Sequence, residues 1–200
     1  GPTGVREGIL MNRQSRTDYG RYGKPVDLGN EIYWVGYYDE QAHVHCNPYL
    51  IKAGDRALLL DGGSRSDFPV VMLKILQTGV EPANLDSLIY QHYDPDLCGS
   101  LPNFIDLCDN PEIQVLSARA NNTFIAFYLH RENTARLVHI DDLSWELILD
   151  DRTLRFIHTP FAHSAGSFVT YDTRSKILSS RDLFGSFAPH WVLYLQYDPA

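Results

Sequence analysis

Gln91-His92-Tyr93-Asp94-Pro95-Asp96-Leu97-Cys98-Gly99 sets one imidazole and two carboxylates, those of His92, Asp94 and Asp96, at alternate positions. Imidazole nitrogen and carboxylate oxygen together suit a cation such as non-haem iron, whereas structural zinc sites usually recruit thiolates. The two neighbouring acids repel one another, and a bound cation relieves that repulsion. Pro95 stiffens the loop between them and donates no hydrogen bond. The same residue types also make solvated turns. On this segment alone, a metal loop and a turn weigh equally.

Two further segments shift the balance. Thr159-Pro160-Phe161-Ala162-His163-Ser164-Ala165-Gly166-Ser167 carries a histidine in a small-residue loop, and Ser179-Ser180-Arg181-Asp182-Leu183-Phe184-Gly185 carries an aspartate just past an apolar stretch. Each of the three segments follows a strand-like run. Strand ends of one sheet converge in space, and open α/β sheets place their sites at such carboxyl ends. No GxGxxG or P-loop pattern occurs, and Ser164 and Ser180 lack a nucleophile-elbow context, so nucleotide folds and serine hydrolases are not supported.

The elements that must position these residues follow from periodicity. Strands are expected at Glu31 to Gly36, Asn47 to Lys52, Ala57 to Asp61 and Ser87 to Gln91. Phe68, Val71, Met72, Ile75 and Leu76 repeat at helical spacing, with Ser66 or Asp67 to cap the start, Pro69 in the first turn and Gly79 at the end. Further helices are expected at about Ser100 to Cys108 and Asn121 to Leu129, with a strand at Ile113 to Leu116 between them. Two hairpins follow: Trp145 to Leu149 with Thr153 to His158, and Ser167 to Tyr171 with Lys176 to Ser179. The pattern predicts a layered α/β fold.

Composition bounds the function. The 200-residue chain carries a net charge of −8, which disfavours a phosphate-binding surface and argues against nucleic acid. No apolar run approaches the roughly 18 residues needed to cross a bilayer, so a membrane role is not expected. Cys46, Cys98 and Cys108 form neither an even set nor a CxxC pair, which fits a reducing, cytoplasmic compartment. Residues 1–24 read as a tail or irregular lead-in, and 25–200 as one domain.

From Gly29 to Phe187 the chain resembles a metallo-β-lactamase-fold domain, and within that superfamily the flavodiiron and oxygen-binding diiron (ODP) proteins. The resemblance rests on Ile32-Tyr33-Trp34-Val35-Gly36, Asn47-Pro48-Tyr49-Leu50-Ile51, Leu60-Asp61-Gly62-Gly63, the His92, His163 and Asp182 loops, and the run Lys176 to Gly185. It implies a four-layer αββα sandwich, here with its C-terminal part missing. The superfamily's hydrolases carry HxHxDH and the flavodiiron branch HxExDH; Asp94 stands at the position of that Glu. By resemblance, His92, Asp94 and His163 hold a first metal, Asp182 bridges, and Asp96 holds a second. Leu97 stands where the motif ends in His, and Leu binds no metal, so the expectation is two irons with a one-iron site open. His190 would serve only if the C-terminal segment folds back. His43 and His45 share one strand face and are expected to line the pocket rather than ligate. Asp61 is expected to support the metal loops, and Tyr93 to donate to a bound oxygen species or to pack. His130, His139 and His158 are expected in ordinary roles.

The resemblance implies a non-haem iron domain that binds or reduces dioxygen or nitric oxide, as an oxygen-binding or sensing module. No flavodoxin fits in the chain, so FMN is not expected. Electrons would come from an external donor, or the domain would be joined to a signalling domain; a homodimer is a further expectation. Two alternatives stand beside it. One is a zinc- or manganese-dependent hydrolase with Asp96 orienting a water. The other is a degenerate, non-catalytic interaction module.

Overall fold

The structure is a computed structural model, and it describes residues 23–39 and 44–184. His43, His190 and most of the expected lead-in lie outside those residues. In chain order the strands are β1 (Val26–Asp27), β2 (Ile32–Trp34), β3 (Tyr37–Asp39), β4 (Val44–Cys46), β5 (Tyr49–Ala53), β6 (Arg56–Leu60), β7 (Leu85–Ile89), β8 (Gln114–Ser117), β9 (Leu137–His139), β10 (Glu146–Leu149), β11 (Arg152–His158), β12 (Phe168–Asp172) and β13 (Leu178–Ser179). The helices are α1 (Phe68–Gln77), α2 (Pro95–Cys98), α3 (Leu101–Cys108) and α4 (Arg119–Ile125).

A seven-stranded sheet runs β1-β2-β5-β6-β7-β8-β9, and a four-stranded sheet runs β10-β11-β12-β13. The first is antiparallel up to β6; β6, β7, β8 and β9 are parallel. Parallel neighbours need crossovers, and α1, α2 with α3, and α4 supply them. Alternation along the strands divides the core. Ala57, Leu59, Leu85, Leu88 and Val115 face Val71, Ile75, Phe104 and Ile125 of the helices. Leu58, Leu60, Ile89 and Leu116 face Leu154, Phe156 and Phe168 of the second sheet. Three layers of the expected sandwich, helix on sheet on sheet, thus lie within the described residues. Ile148 and Ile157, at 71% and 48% exposure, mark the outer face of the second sheet, on which no described helix packs.

Several local expectations shift. Asp67 occupies the N-cap of α1, yet its carboxylate makes no cap bond. It accepts instead from the Ser64 amide at 2.6 Å and the Tyr37 hydroxyl at 2.7 Å. The expected helix over Asn121 to Leu129 starts earlier, as α4, and ends in a 3-10 turn at Ala126–Tyr128. Residues Pro95–Cys98, read above as loop, form the short α2.

A buried ion pair, Arg152 to Asp172, closes the β11–β12 end, and Arg152 also donates to the Asn30 carbonyl beside β2. Asn121 holds the His163 loop: its side-chain amide donates to the Gly166 carbonyl at 2.8 Å and the Ser117 hydroxyl at 3.0 Å. Gly166 is required by that approach, since a Cβ there would meet the Asn121 Oδ1 at 2.3 Å. Asn121→Ala is expected to cost about 1–3 kcal/mol, because buried partners lose their donor. Urea unfolding checks it; a loss under about 0.5 kcal/mol would mean water replaces the amide.

Candidate metal centre

β7 delivers the chain to the site. Past Ile89, Gln91 is buried and clamped to Asp61 at the end of β6: its amide N–H donates to Asp61 Oδ1 and its side chain to Asp61 Oδ2, each at 3.1 Å. The next residue, His92, is 3% exposed. Pro95 opens α2, as its missing N–H costs nothing at a first helical position. The amides of Leu97 and Cys98 bond to the Asp94 main-chain carbonyl, each at 3.0 Å. The Asp94 carboxylate makes no cap bond. It reaches His163, whose Nε2 lies 2.8 Å from Asp94 Oδ2.

The second sheet supplies the rest. His163 comes from the β11–β12 connection and Asp182 from the turn after β13. Asp182 Oδ2 lies 3.2 Å from His92 Nε2 and 3.9 Å from His163 Nε2, and Asp94 Oδ2 lies 3.7 Å from His92 Nε2. The two imidazole rings sit 4.4 Å apart at 61°. The structure therefore brings all five expected residues together, in two overlapping sets: His92, Asp94 and His163, and His92, Asp96 and Asp182, with ligand atoms within 4.8 Å of one another in each.

These separations, 2.8 to 3.9 Å, bracket those of ligand atoms around a shared cation. Bonds of about 2.1 Å at right or tetrahedral angles put ligand atoms about 3.0–3.4 Å apart. Despite the 3.2 Å approach of Asp182, His92 Nε2 is buried and has no hydrogen-bond partner. The carboxylate is near but not aligned as an acceptor, as expected when both atoms face a common centre. A neutral imidazole is the form that ligates, and burial keeps His92 in it by pushing its pKa below the ordinary value. Burial acts the opposite way on Asp96, raising its pKa.

Arg181 is the residue that sequence reasoning missed. Its side chain is 8% exposed, and its Nε lies 2.8 Å from Oδ2 of the fully buried Asp61. Burial works against its charge; Asp61 foremost, with Cys46, Asp182 and Asp96, outweighs that and holds the guanidinium above its ordinary pKa. A signal for it did exist. Asp61 ends a buried apolar strand, and a carboxylate there needs a cationic or multiply donating partner. Asp61 thus grips Gln91 and Arg181, the residues immediately before His92 and Asp182. Its own backbone is left-handed, with φ 58°, a conformation Asp tolerates better than most residues.

The remaining candidates stand apart from the two sets. Tyr93 stacks on Phe124, with centroids 4.4 Å apart, and its main-chain carbonyl accepts from the Tyr128 hydroxyl at 3.0 Å. His45 pairs across the β3–β4 ribbon with Tyr38, ring to ring at 4.6 Å. His139 Nδ1 accepts from the Asn122 side-chain amide nitrogen, 2.8 Å away.

A sequence profile, that of the ODP family beta lactamase, matches residues 44–198. The chain belongs to the ODP beta-lactamase family. Among relatives of this ODP-family chain, a putative diflavin flavoprotein A 2 of Synechocystis is 31% identical over 142 residues, 70% of this chain and 23% of that protein. A nitric oxide reductase of Moorella thermoacetica is 29% identical over 175 residues, 81% of this chain and 42% of that protein. The ODP-family chain spans less than half the length of these relatives. Its fold is that of the Giardia intestinalis flavodiiron protein, with TM-score 0.70 at 20% identity over 81% of this chain and 41% of that one. The peroxy diiron species of the chemotaxis sensor ODP gives 0.64 at 24% identity, over 78% of this chain and 62% of that one. A subclass B3 metallo-beta-lactamase, MEM-A1, shares the fold at 0.62 and 17% identity, over 74% and 57%.

Proposed function

We propose that the chain holds non-haem iron on His92, His163 and Asp94, with Asp182 facing the same centre, and that it binds or reduces dioxygen or nitric oxide. The carrying observation is the buried, unpartnered His92 Nε2 with three ligand atoms of other residues around it. Two imidazoles and one carboxylate form the donor set that suits ferrous iron with open coordination positions. When bound, iron supplies the one-electron and gas-binding chemistry that amino-acid side chains lack.

The chain's own residues prepare that site. His92 is held neutral by burial, and its backbone is pinned through Gln91 and Asp61. His163, Asp94 and Asp182 have side chains 37%, 39% and 41% exposed, so a small gas or a reductant reaches the centre from solvent. Two relatives support the choice of gas: a nitric oxide reductase and a rubredoxin-oxygen oxidoreductase of Megalodesulfovibrio gigas, the latter 27% identical over 70% of this chain and 33% of that protein. Electrons for any reduction would come from an external donor. The three free, buried cysteines fit a reducing, cytoplasmic setting.

Elemental analysis with absorption spectra, on anaerobically purified protein before and after air, tests the reading. Iron and a visible band that changes on exposure are expected. Colourless protein loaded with zinc, turning over esters or phosphodiesters, would replace this reading with the hydrolase.

A further inference from the structure

We infer that the space between the open edges of the two sheets is a binding site for a small, neutral organic molecule with an apolar body and one hydroxyl or carbonyl group. The inference is separate from the metal reading above and does not depend on it.

Three observations carry it. The first is size. A cavity of about 210 Å³ lies between the sheets, with Ile32, Ile51 and Leu60 on one side and Thr170 and Ile177 on the other. Protein interiors hold few voids larger than a water molecule, and an apolar cavity of about 150 Å³ stays dry and binds benzene. One aromatic ring with a small substituent matches the space here. β1 and β13 are the edge strands of their sheets, and Leu28, just past β1, and Leu178, in β13, both line the cavity. Leu178 is 47% exposed, so a guest enters between these two edges.

The second is a polar group set in that apolar wall. Thr170 is 2% exposed, and its buried hydroxyl has no hydrogen-bond partner among the described residues. A buried hydroxyl left unpaired costs free energy that a guest's polar group would recover. Threonine both donates and accepts, so a hydroxyl or a carbonyl serves equally. The third is charge. Asp172 also lines the cavity, but its carboxylate is paired with Arg152 and accepts from the Arg174 and Ser175 amides at 3.1 and 3.2 Å. None of the described lining residues is cationic. An anionic guest would bury its charge unpaired, and a cationic one would find Asp172 already neutralised.

Phenol is the probe, with benzene and benzoate as its apolar and anionic counterparts. In methyl-labelled protein the Ile51, Leu60 and Ile177 signals are expected to shift saturably with phenol, at a dissociation constant of about 1 mM or lower. Benzene should move the same methyls, and benzoate should not. Thr170→Val keeps the side-chain shape and removes the hydroxyl, so the preference for phenol over benzene should fall by about 2–10-fold. Ile177→Trp should fill the space and abolish binding of both; should it not fold, Leu28→Trp closes the same cavity from its mouth. Phenol that leaves these methyls unmoved up to about 10 mM would overturn the inference, the outcome expected if residues 185–200 of the chain take up the space. So would shifts that persist in a folded Ile177→Trp or Leu28→Trp protein. Benzoate binding as tightly as phenol would overturn the neutral class of guest, and an unchanged preference in Thr170→Val would overturn the place given to the hydroxyl.

Discussion

His163→Ala is expected to strip most of the iron from the chain while leaving it folded. In the proposed set the imidazole would be the second nitrogen donor, 2.8 Å from Asp94 Oδ2. Even residues that only orient a metal ligand change affinity by about 10–100-fold, and loss of a ligand itself should exceed that, on the order of 2.7 kcal/mol or more. His163 is also the clean choice among the histidines. Its side chain is 37% exposed, whereas His92 is 3% exposed, so alanine at 92 would mix lost packing with lost metal. Iron per chain, measured beside a circular-dichroism melt, gives the answer. Unchanged iron in a folded His163→Ala protein would mean that the cation sits elsewhere.

The second large effect is expected at Asp61. Asp61→Ala leaves the Arg181 guanidinium buried without its counter-ion, which costs about 3–5 kcal/mol. It also strands both Gln91 donors. Because Gln91 and Arg181 directly precede His92 and Asp182, metal affinity should fall by about 10–100-fold in the same variant. Asp61→Asn separates the contributions: it keeps an acceptor for Gln91 and tolerates the left-handed backbone, but it cannot neutralise Arg181. It still loses the counter-ion, so its expected cost stays at about 3–5 kcal/mol, and Asp61→Ala should exceed it by about 1–3 kcal/mol for the stranded Gln91 donors. Urea unfolding and metal titration on both variants check this. A loss below about 1 kcal/mol in Asp61→Ala would show that water reaches the guanidinium and that Asp61 is not its anchor.

Much of this arrangement was readable from residue order. α1 declares itself through Phe68, Val71, Met72, Ile75 and Leu76, because burial on one side imposes the helical period. The β10–β11 and β12–β13 hairpins were legible from their turns, Asp150-Asp151 and Asp172-Thr173-Arg174. The two- and three-residue strands β1, β3, β4 and β9 were not, since alternation needs more length to register. α2 was hidden because its N-cap, Asp94, and its first residues, Pro95 and Asp96, are also good turn formers. The five metal candidates were visible one segment at a time, and the resemblance joined them. Asp61 signalled a need for a cationic or multiply donating partner, but Arg181 could not be singled out as that partner, because it is remote in sequence and is brought near only when the two sheets stack.

That stacking has a thermodynamic side. His92, Asp94 and Asp96 follow a strand of the larger sheet, whereas His163 and Asp182 belong to the smaller one. Among the described residues, the bonds that join the two at this end include the Phe168 amide to the Gln91 carbonyl at 3.3 Å, the Gln91 side chain to Ser179 at 3.3 Å and the Arg181–Asp61 pair. An ion gripped from both sides, as proposed, would act as a clasp across the sandwich. At a free concentration a hundredfold above its dissociation constant it adds about 2.7 kcal/mol to folding. Chelation would then do more than empty a pocket, since it would loosen the edge along which the halves of the molecule meet.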